Sequence, residues 1–223
     1  MKEVPALFNT EMVKAILEDR KTNTRRLVKF HGSTPDFYKR DKFYKLVNQL
    51  NEKVGLFAGF YCDSDVFMHE GEKHIDAIYF KAPCEVDDIL WVRETWRPKS
   101  AWSGSSRGCE IEYKAGGENK IIDDEIIIKV PWTNKKWRPS IHMPRKAARI
   151  FLKVTDVRVE RLQEITEIEA QQEWKTAYYE DVIKYELTAK QQFSELWDSI
   201  YKNWGENPWV WVIQFERVVD YGH

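Results

Sequence analysis

The stretch "DRKTNTRR", residues 19–26, gathers four cations (Arg20, Lys21, Arg25, Arg26) and two threonine hydroxyls (Thr22, Thr24) into eight positions. Lys21 and Thr24 stand three apart, so one helical turn or a tight bend brings amine and hydroxyl side by side. An amine beside a hydroxyl can take its proton and turn it into a nucleophile for acyl transfer, provided its own pKa is lowered. Burial and the neighbouring charges of Arg20, Arg25 and Arg26 both push a lysine that way. A plainer account covers the charges alone: cations after a helix favour its negative pole, by roughly a few tenths of a kcal/mol each. It leaves the hydroxyls unexplained.

Other chemistry-bearing patterns fall away on spacing. In "HEGEKH" (69–74) the histidines are five apart, whereas two zinc-binding imidazoles on one helical face need a separation of four, and Gly71 argues for a turn. "SGSSRG" (103–108) lacks the Gly-Lys-Ser/Thr of a phosphate loop. No GxSxG elbow or GxGxxG loop occurs. His142, in the proline-braced "PSIHMPR", reads as structural rather than catalytic. Cys62, Cys84 and Cys109 are odd in number and form no CxxC, so neither a disulfide framework nor a zinc ribbon is expected. No metal and no cofactor is anticipated.

These residues need elements to hold them. "TEMVKAILED" (10–19) sets Met12, Val13, Ile16 and Leu17 on one helical face, with Asn9 or Thr10 as N-cap. Residues 30–85 show no sustained period and suggest one helix near 41–52. "DDILWVRETW" (87–96) reads as a strand, and residues 97–140 read as loop except for strands broken at Gly116-Gly117. In "RIFLKVTDVRVERL" the apolar alternation changes phase near Thr155-Asp156, which predicts a bulge or sharp bend. Thr166-x-x-Glu169 and Thr188-x-x-Gln191 are capping boxes that open helices. After a turn at Asn207-Pro208, a strand alternating Trp209, Trp211, Ile213 and Phe215 closes the chain. The expected class is α+β with a curved, mainly antiparallel sheet.

With 43% hydrophobic and 32% charged residues, the 223-residue chain has the composition of a soluble, folded protein rather than a disordered one. No apolar run reaches the roughly 18 residues of a membrane span, and no signal segment opens it, so a cytoplasmic protein without membrane contact is expected. The net charge of −1 hides blocks: residues 1–54 carry 12 Lys/Arg against 7 Asp/Glu, and residues 97–149 carry 12 against 6. Two basic blocks could line a cleft for a phosphorylated partner such as RNA, or neutralise acidic blocks against which they fold. Trp102, Trp132 and Trp137 in the second block could stack bases or pin loops.

Lys21-x-x-Thr24-x-Arg26 fits the GxKxxTxR signature of the ASCH family, within the PUA-like superfamily. "VDDILWVRETW" resembles the family's GDxLxVR strand, "VTDVRVERLQEITEIEAQQEW" its strand-then-helix segment, and "WVIQFERV" its closing strand. The layout is similar to the larger ASCH proteins common in phages and prophages. The likeness covers residues 5–29, 83–97 and 138–219, leaving insertions at about 30–82 and 98–137 in a single domain. Asp19 stands where the signature has glycine; aspartate tolerates a left-handed backbone better than most residues.

The resemblance implies a PUA-like curved β-barrel flanked by helices. Small bacterial members hydrolyse N4-acetylcytidine with a lysine, a threonine and a glutamate, which implies Lys21, Thr24 and Glu173 here. From its own surroundings Glu173 is only a helix carboxylate, four residues after Glu169. Arg26, Arg93 and Glu94 are the expected substrate-binding or oxyanion residues. The expected activity is removal of an acyl group from N4-acylated cytidine, a small-molecule substrate, with either Lys21 or Glu173 as base. The alternatives are an RNA- or modified-base-binding module and a ribonuclease.

Overall fold

The computed structural model describes residues 1–29, 43–47, 57–62, 77–102, 108–122, 136–174, 187–219 and 221. Strand β1 (Glu3–Leu7) leads into helix α1 (Thr10–Leu17), which Asn9 caps by accepting the Met12 N–H at 2.8 Å. The helix stops where Asp19 takes a left-handed backbone, φ 53°. Its termination is a Schellman arrangement: the Arg20 N–H reaches Ala15 O and the Asp19 N–H reaches Ile16 O. Aspartate therefore does at position 19 what glycine usually does. Strand β2 (Asn23–Leu27) follows at once.

Six strands follow: β3 (Phe43–Val47), β4 (Phe57–Cys62), β5 (Ala77–Lys81), β6 (Ile89–Arg93), β7 (Trp96–Trp102) and β8 (Gly108–Tyr113). Strand β9 (Lys120–Ile122) and the long β10 (Phe151–Arg161) precede two helices, α2 (Glu167–Trp174) and α3 (Ala189–Ile200), and β11 (Trp209–Val218) closes the order. The main sheet runs β1-β6-β10-β11-β2, with β1 parallel to β6 and every other pairing antiparallel. Two three-stranded antiparallel sheets, β3-β4-β5 and β7-β8-β9, complete an α+β structure with three α-helices among the described residues.

Most expected elements form. The register of β10 against β11 shifts between Val154 and Asp156, where the apolar alternation changes phase. Both capping boxes close: Thr166 Oγ1 accepts the Glu169 N–H while Glu169 Oε2 accepts the Thr166 N–H, and Thr188 and Gln191 do the same. Asn207 turns the chain with φ 47°. Two expectations need correction. The helix anticipated near 41–52 is, over Phe43–Val47, a strand, in keeping with the β-forming Phe43, Tyr44 and Val47. Residues 97–102, read as loop, continue β7, because pairing with β8 supplies partners for their backbone. Residues 123–135 lie outside those described.

Strand β11 is buried on both faces, which explains why its sequence is nearly continuous in apolar residues. Trp209, Trp211, Ile213 and Phe215 pack with Phe8, Val13, Ile16, Leu152 and Val154 between the sheet and α1. Val210 and Val212 face the opposite way, onto Leu162, Ile165, Ala170, Phe193 and Trp197 of the α2–α3 layer. A third cluster joins Trp96, Cys109, Ile111 and Tyr113 to Met143, Ala147 and Phe151.

Candidate functional site

Strand β2 is the last strand of the main sheet, so only β11 pairs with it. An edge strand leaves every second N–H and C=O without a ladder partner, and a buried edge needs substitutes. Here Lys21 and helix α2 provide them. The Lys21 amine donates to the carbonyl of Asn23 at 2.7 Å and to the carbonyl of Glu173 at 2.9 Å. Glu173 Oε1 accepts the Arg25 N–H at 2.6 Å. The Thr22 N–H reaches Gln172 O, and Asn23 Nδ2 reaches Glu169 O. The C-terminal turn of α2 thus lies along the open edge of β2, with the Lys21 ammonium near the helix's negative pole.

The two faces of β2 have different chemistry. Thr24 and Arg26 stand opposite Ile213 and Trp211, on the face that packs toward α1. The Thr24 side chain is buried, and its Oγ1 has no hydrogen-bond partner. Arg26 donates to Leu7 O at 2.7 Å and lies 5.3 Å from the ring centre of Phe8, the same ring that the Lys21 amine faces at 5.8 Å. Asn23, Arg25 and Leu27 occupy the other face, toward α2 and α3. Arg25 is fully buried there: Nη1 meets Glu173 Oε2 at 2.7 Å, and Nη2 meets Glu169 at 3.2 Å and Glu160 at 3.4 Å. Arg158 extends this network to Asp156, Glu160 and Glu169.

Burial dominates the electrostatics of Lys21. It lowers the amine's pKa from 10.5 to about 8; the Glu173 charge opposes this, while Arg26 and Arg25 add to it. A substantial fraction of such an amine is neutral near pH 8. A buried hydroxyl without a partner forgoes about 1–3 kcal/mol of hydrogen bonding.

The structure places Lys21 and Glu173 along the edge of β2 and Thr24 within that strand, with the Thr24 hydroxyl bonded to neither. Arg26 is held on the same face by Leu7 and Phe8. Arg93 and Glu94 are engaged elsewhere: Arg93 donates to Ser140 O and Ile141 O, and Glu94 receives a two-pronged ion pair from Arg149 at 2.9 and 3.0 Å. No described contact joins either to Lys21 or Thr24. His142, expected within an apolar segment, is exposed, and its neighbour Met143 is the buried residue. Arg25 carries more of the site than its sequence position suggested. The two-residue alternation of Asn23, Arg25 and Leu27, and Glu169 and Glu173 one helical turn apart on α2, are visible in the sequence, but nothing local pairs the one with the other.

Among the described residues no group of three or more His, Cys, Asp or Glu side chains could hold a metal ion, and no helix is long and apolar enough to cross a membrane. Compared with known proteins, the chain matches no family model, no curated protein and no solved structure.

Proposed function

We propose that the chain is an ASCH-type, PUA-like amidohydrolase that removes the acyl group from N4-acylated cytidine or a similar acylated nucleobase. The observation that carries this reading is a buried, partnerless Thr24 hydroxyl on the same strand whose edge is closed by Glu173 and by a buried Lys21 amine whose pKa falls to about 8. On this reading the five-stranded sheet is part of a curved barrel, and the enzyme works in the cytoplasm without metal or cofactor.

Thr24 Oγ attacks the acyl carbon as neutral Lys21 takes the hydroxyl proton. Collapse of the tetrahedral intermediate breaks the bond to N4, and the Lys21 ammonium returns the proton to the leaving amine. Water then hydrolyses the threonine ester, giving carboxylic acid and free enzyme. Arg26 helps hold the oxyanion. Of the two assignments of the base, Lys21 is favoured because both carboxylate oxygens of Glu173 already accept hydrogen bonds from Arg25. Glu173 then orients the edge and tunes Lys21 by its charge. Arg93 and Glu94, engaged elsewhere, are assigned no step.

The compensation of four cations of the basic blocks within the fold supports a nucleoside over an RNA backbone. Arg25, Arg97, Arg145 and Arg149 are each bonded to carboxylates of this same chain, so their charge is spent within the fold. Incubation with N4-acetylcytidine, followed by chromatography, tests the reading. Cytidine and acetate should appear in equal amounts, and Thr24→Ala protein should release neither. A folded wild-type protein that releases no cytidine between pH 7 and 9 refutes it.

A further inference from the structure

A recess lies between the β8–β9 turn and the ends of β10 and β11. The turn forms one wall and the paired strand ends form the other, enclosing about 660 Å³. That volume falls within the roughly 300–1,000 Å³ typical of small-molecule sites. Its lining includes the exposed Ile121 and Val219 and the half-buried Val218, over the buried Ile150 and Phe151, together with three cations, Lys120, Arg149 and Arg217. None of Lys21, Thr24 and Glu173 lines it.

The turn wall is built rather than loose. Gly116 and Gly117 both take φ near +80°, which turns the chain back onto Arg149. The Arg149 guanidinium donates to Gly116 O at 2.6 Å and to Glu118 O at 2.9 Å while gripping Glu94 with its remaining edge. A Cβ at position 117 would lie 2.8 Å from Arg149 Nη1, so glycine is what lets the turn close on it.

The cations differ in how they are compensated. Arg149 is balanced by Glu94, and Arg217 by Asp19, with both oxygens at 3.0 Å. Lys120 has no such partner among the described residues. Its half-buried ammonium donates only to Ala148 O, at 2.8 Å, which leaves two of its three donors for a ligand. Burial lowers its pKa, and the Arg145 charge adds to that, so an anion placed beside it would gain an under-solvated counter-charge. The Glu118 carboxylate sits on an exposed residue of the lining and forms no ion pair with Lys120.

We propose that this recess binds a small organic monoanion, with the charged group at the Lys120 ammonium and an apolar body against Ile121, Val218 and Val219. The inference does not depend on the proposed hydrolase activity. The aromatic sulfonate 8-anilinonaphthalene-1-sulfonate is a suitable probe, and its neutral relative N-phenyl-1-naphthylamine is the control, followed by fluorescence and calorimetry. The sulfonate should bind wild-type protein one to one, at least tenfold more tightly than the neutral amine. Lys120→Met should weaken it at least tenfold, and Lys120→Arg should restore most of the affinity. Equal binding of the two probes to wild-type protein overturns the proposal without recourse to any variant. Affinity unchanged in a folded Lys120→Met protein, or binding that does not saturate, overturns it as well.

Discussion

Replacing Lys21 with methionine keeps the apolar stem of the side chain and removes its charge, which isolates what burying that charge costs. In the folded protein the amine's pKa is about 8, against 10.5 for an unburied lysine. Between those two values the unfolded chain holds a proton that the folded chain has released. Stability therefore rises with pH through that window, and the penalty is present in full below pH 8. Lowering the pKa from 10.5 to about 8 corresponds to about 3 kcal/mol in full, of which roughly 2.5 kcal/mol is relieved between pH 7 and pH 10.

Urea unfolding of wild-type and Lys21→Met protein at pH 7, 8, 9 and 10 reads this directly. Tyrosines and the other lysines titrate alike in both proteins and cancel in the difference. The stability of wild type relative to the variant should climb by about 2.5 kcal/mol across the series, most steeply above pH 8. Methionine also leaves the carbonyls of Asn23 and Glu173 without their donor, a loss that is nearly independent of pH and offsets the curve without bending it. A difference that stays flat to within about 0.5 kcal/mol, or that falls with pH, would show that Lys21 is an ordinary charged lysine in the fold. The amine could not then be the base that takes the Thr24 proton near neutral pH.

Three other outcomes follow from the same geometry. Lys21→Met, Thr24→Ala and Glu173→Gln should each reduce N4-acetylcytidine turnover by orders of magnitude, and double variants should lose little more, as for residues acting as one unit; additive losses in single-turnover assays would separate them. Arg25→Met should cost about 3–5 kcal/mol in urea unfolding, because it strands the carboxylate of Glu173 and exposes Glu160 and Glu169 to mutual repulsion; a cost below about 1 kcal/mol would place the network's stability elsewhere. Turnover should survive prolonged EDTA treatment, measured by cytidine release, since the proposed proton transfers use only Lys21 and Thr24; loss that a divalent ion restores would redirect the mechanism.

How much of this was legible in the sequence depends on whether the signal was local. The Asn9 cap, both capping boxes, the change of phase at Thr155-Asp156 and the paired glycines at 116–117 are decided by neighbours a few residues away, and all four appear in the structure. Residues 97–102 were misread because "RPKSAW" has no alternation of its own; its strand state comes from pairing with β8. The role of Arg25 was hidden for a related reason. Its partners lie 135 to 148 residues away on β10 and α2, and no local pattern announces a pairing across that separation. Arg93 and Glu94 show the converse. Their place in a recognisable strand suggested a site, yet their contacts with Ser140, Ile141 and Arg149 brace neighbouring segments instead.

The geometry of β2 explains why chemistry and stability are hard to separate here. A buried edge strand must have its free backbone groups answered, and Lys21 and Glu173 answer two that lie close together, the Asn23 carbonyl and the Arg25 N–H. Any residue pair could close an edge in this way, and neutral side chains would do it at lower desolvation cost. What edge closure alone does not require is a lysine whose charge is disfavoured by burial, or a threonine hydroxyl left without a partner on the neighbouring face. On the opposite face, Arg25 fixes the Glu173 carboxylate from two directions, through its own N–H and its guanidinium. The carboxylate therefore raises the Lys21 pKa from a fixed position, and burial still prevails. On the proposed mechanism, an amine whose pKa is held near 8 by two opposing effects takes the Thr24 proton, and the arrangement that sets this pKa is the one that seals the edge of the sheet.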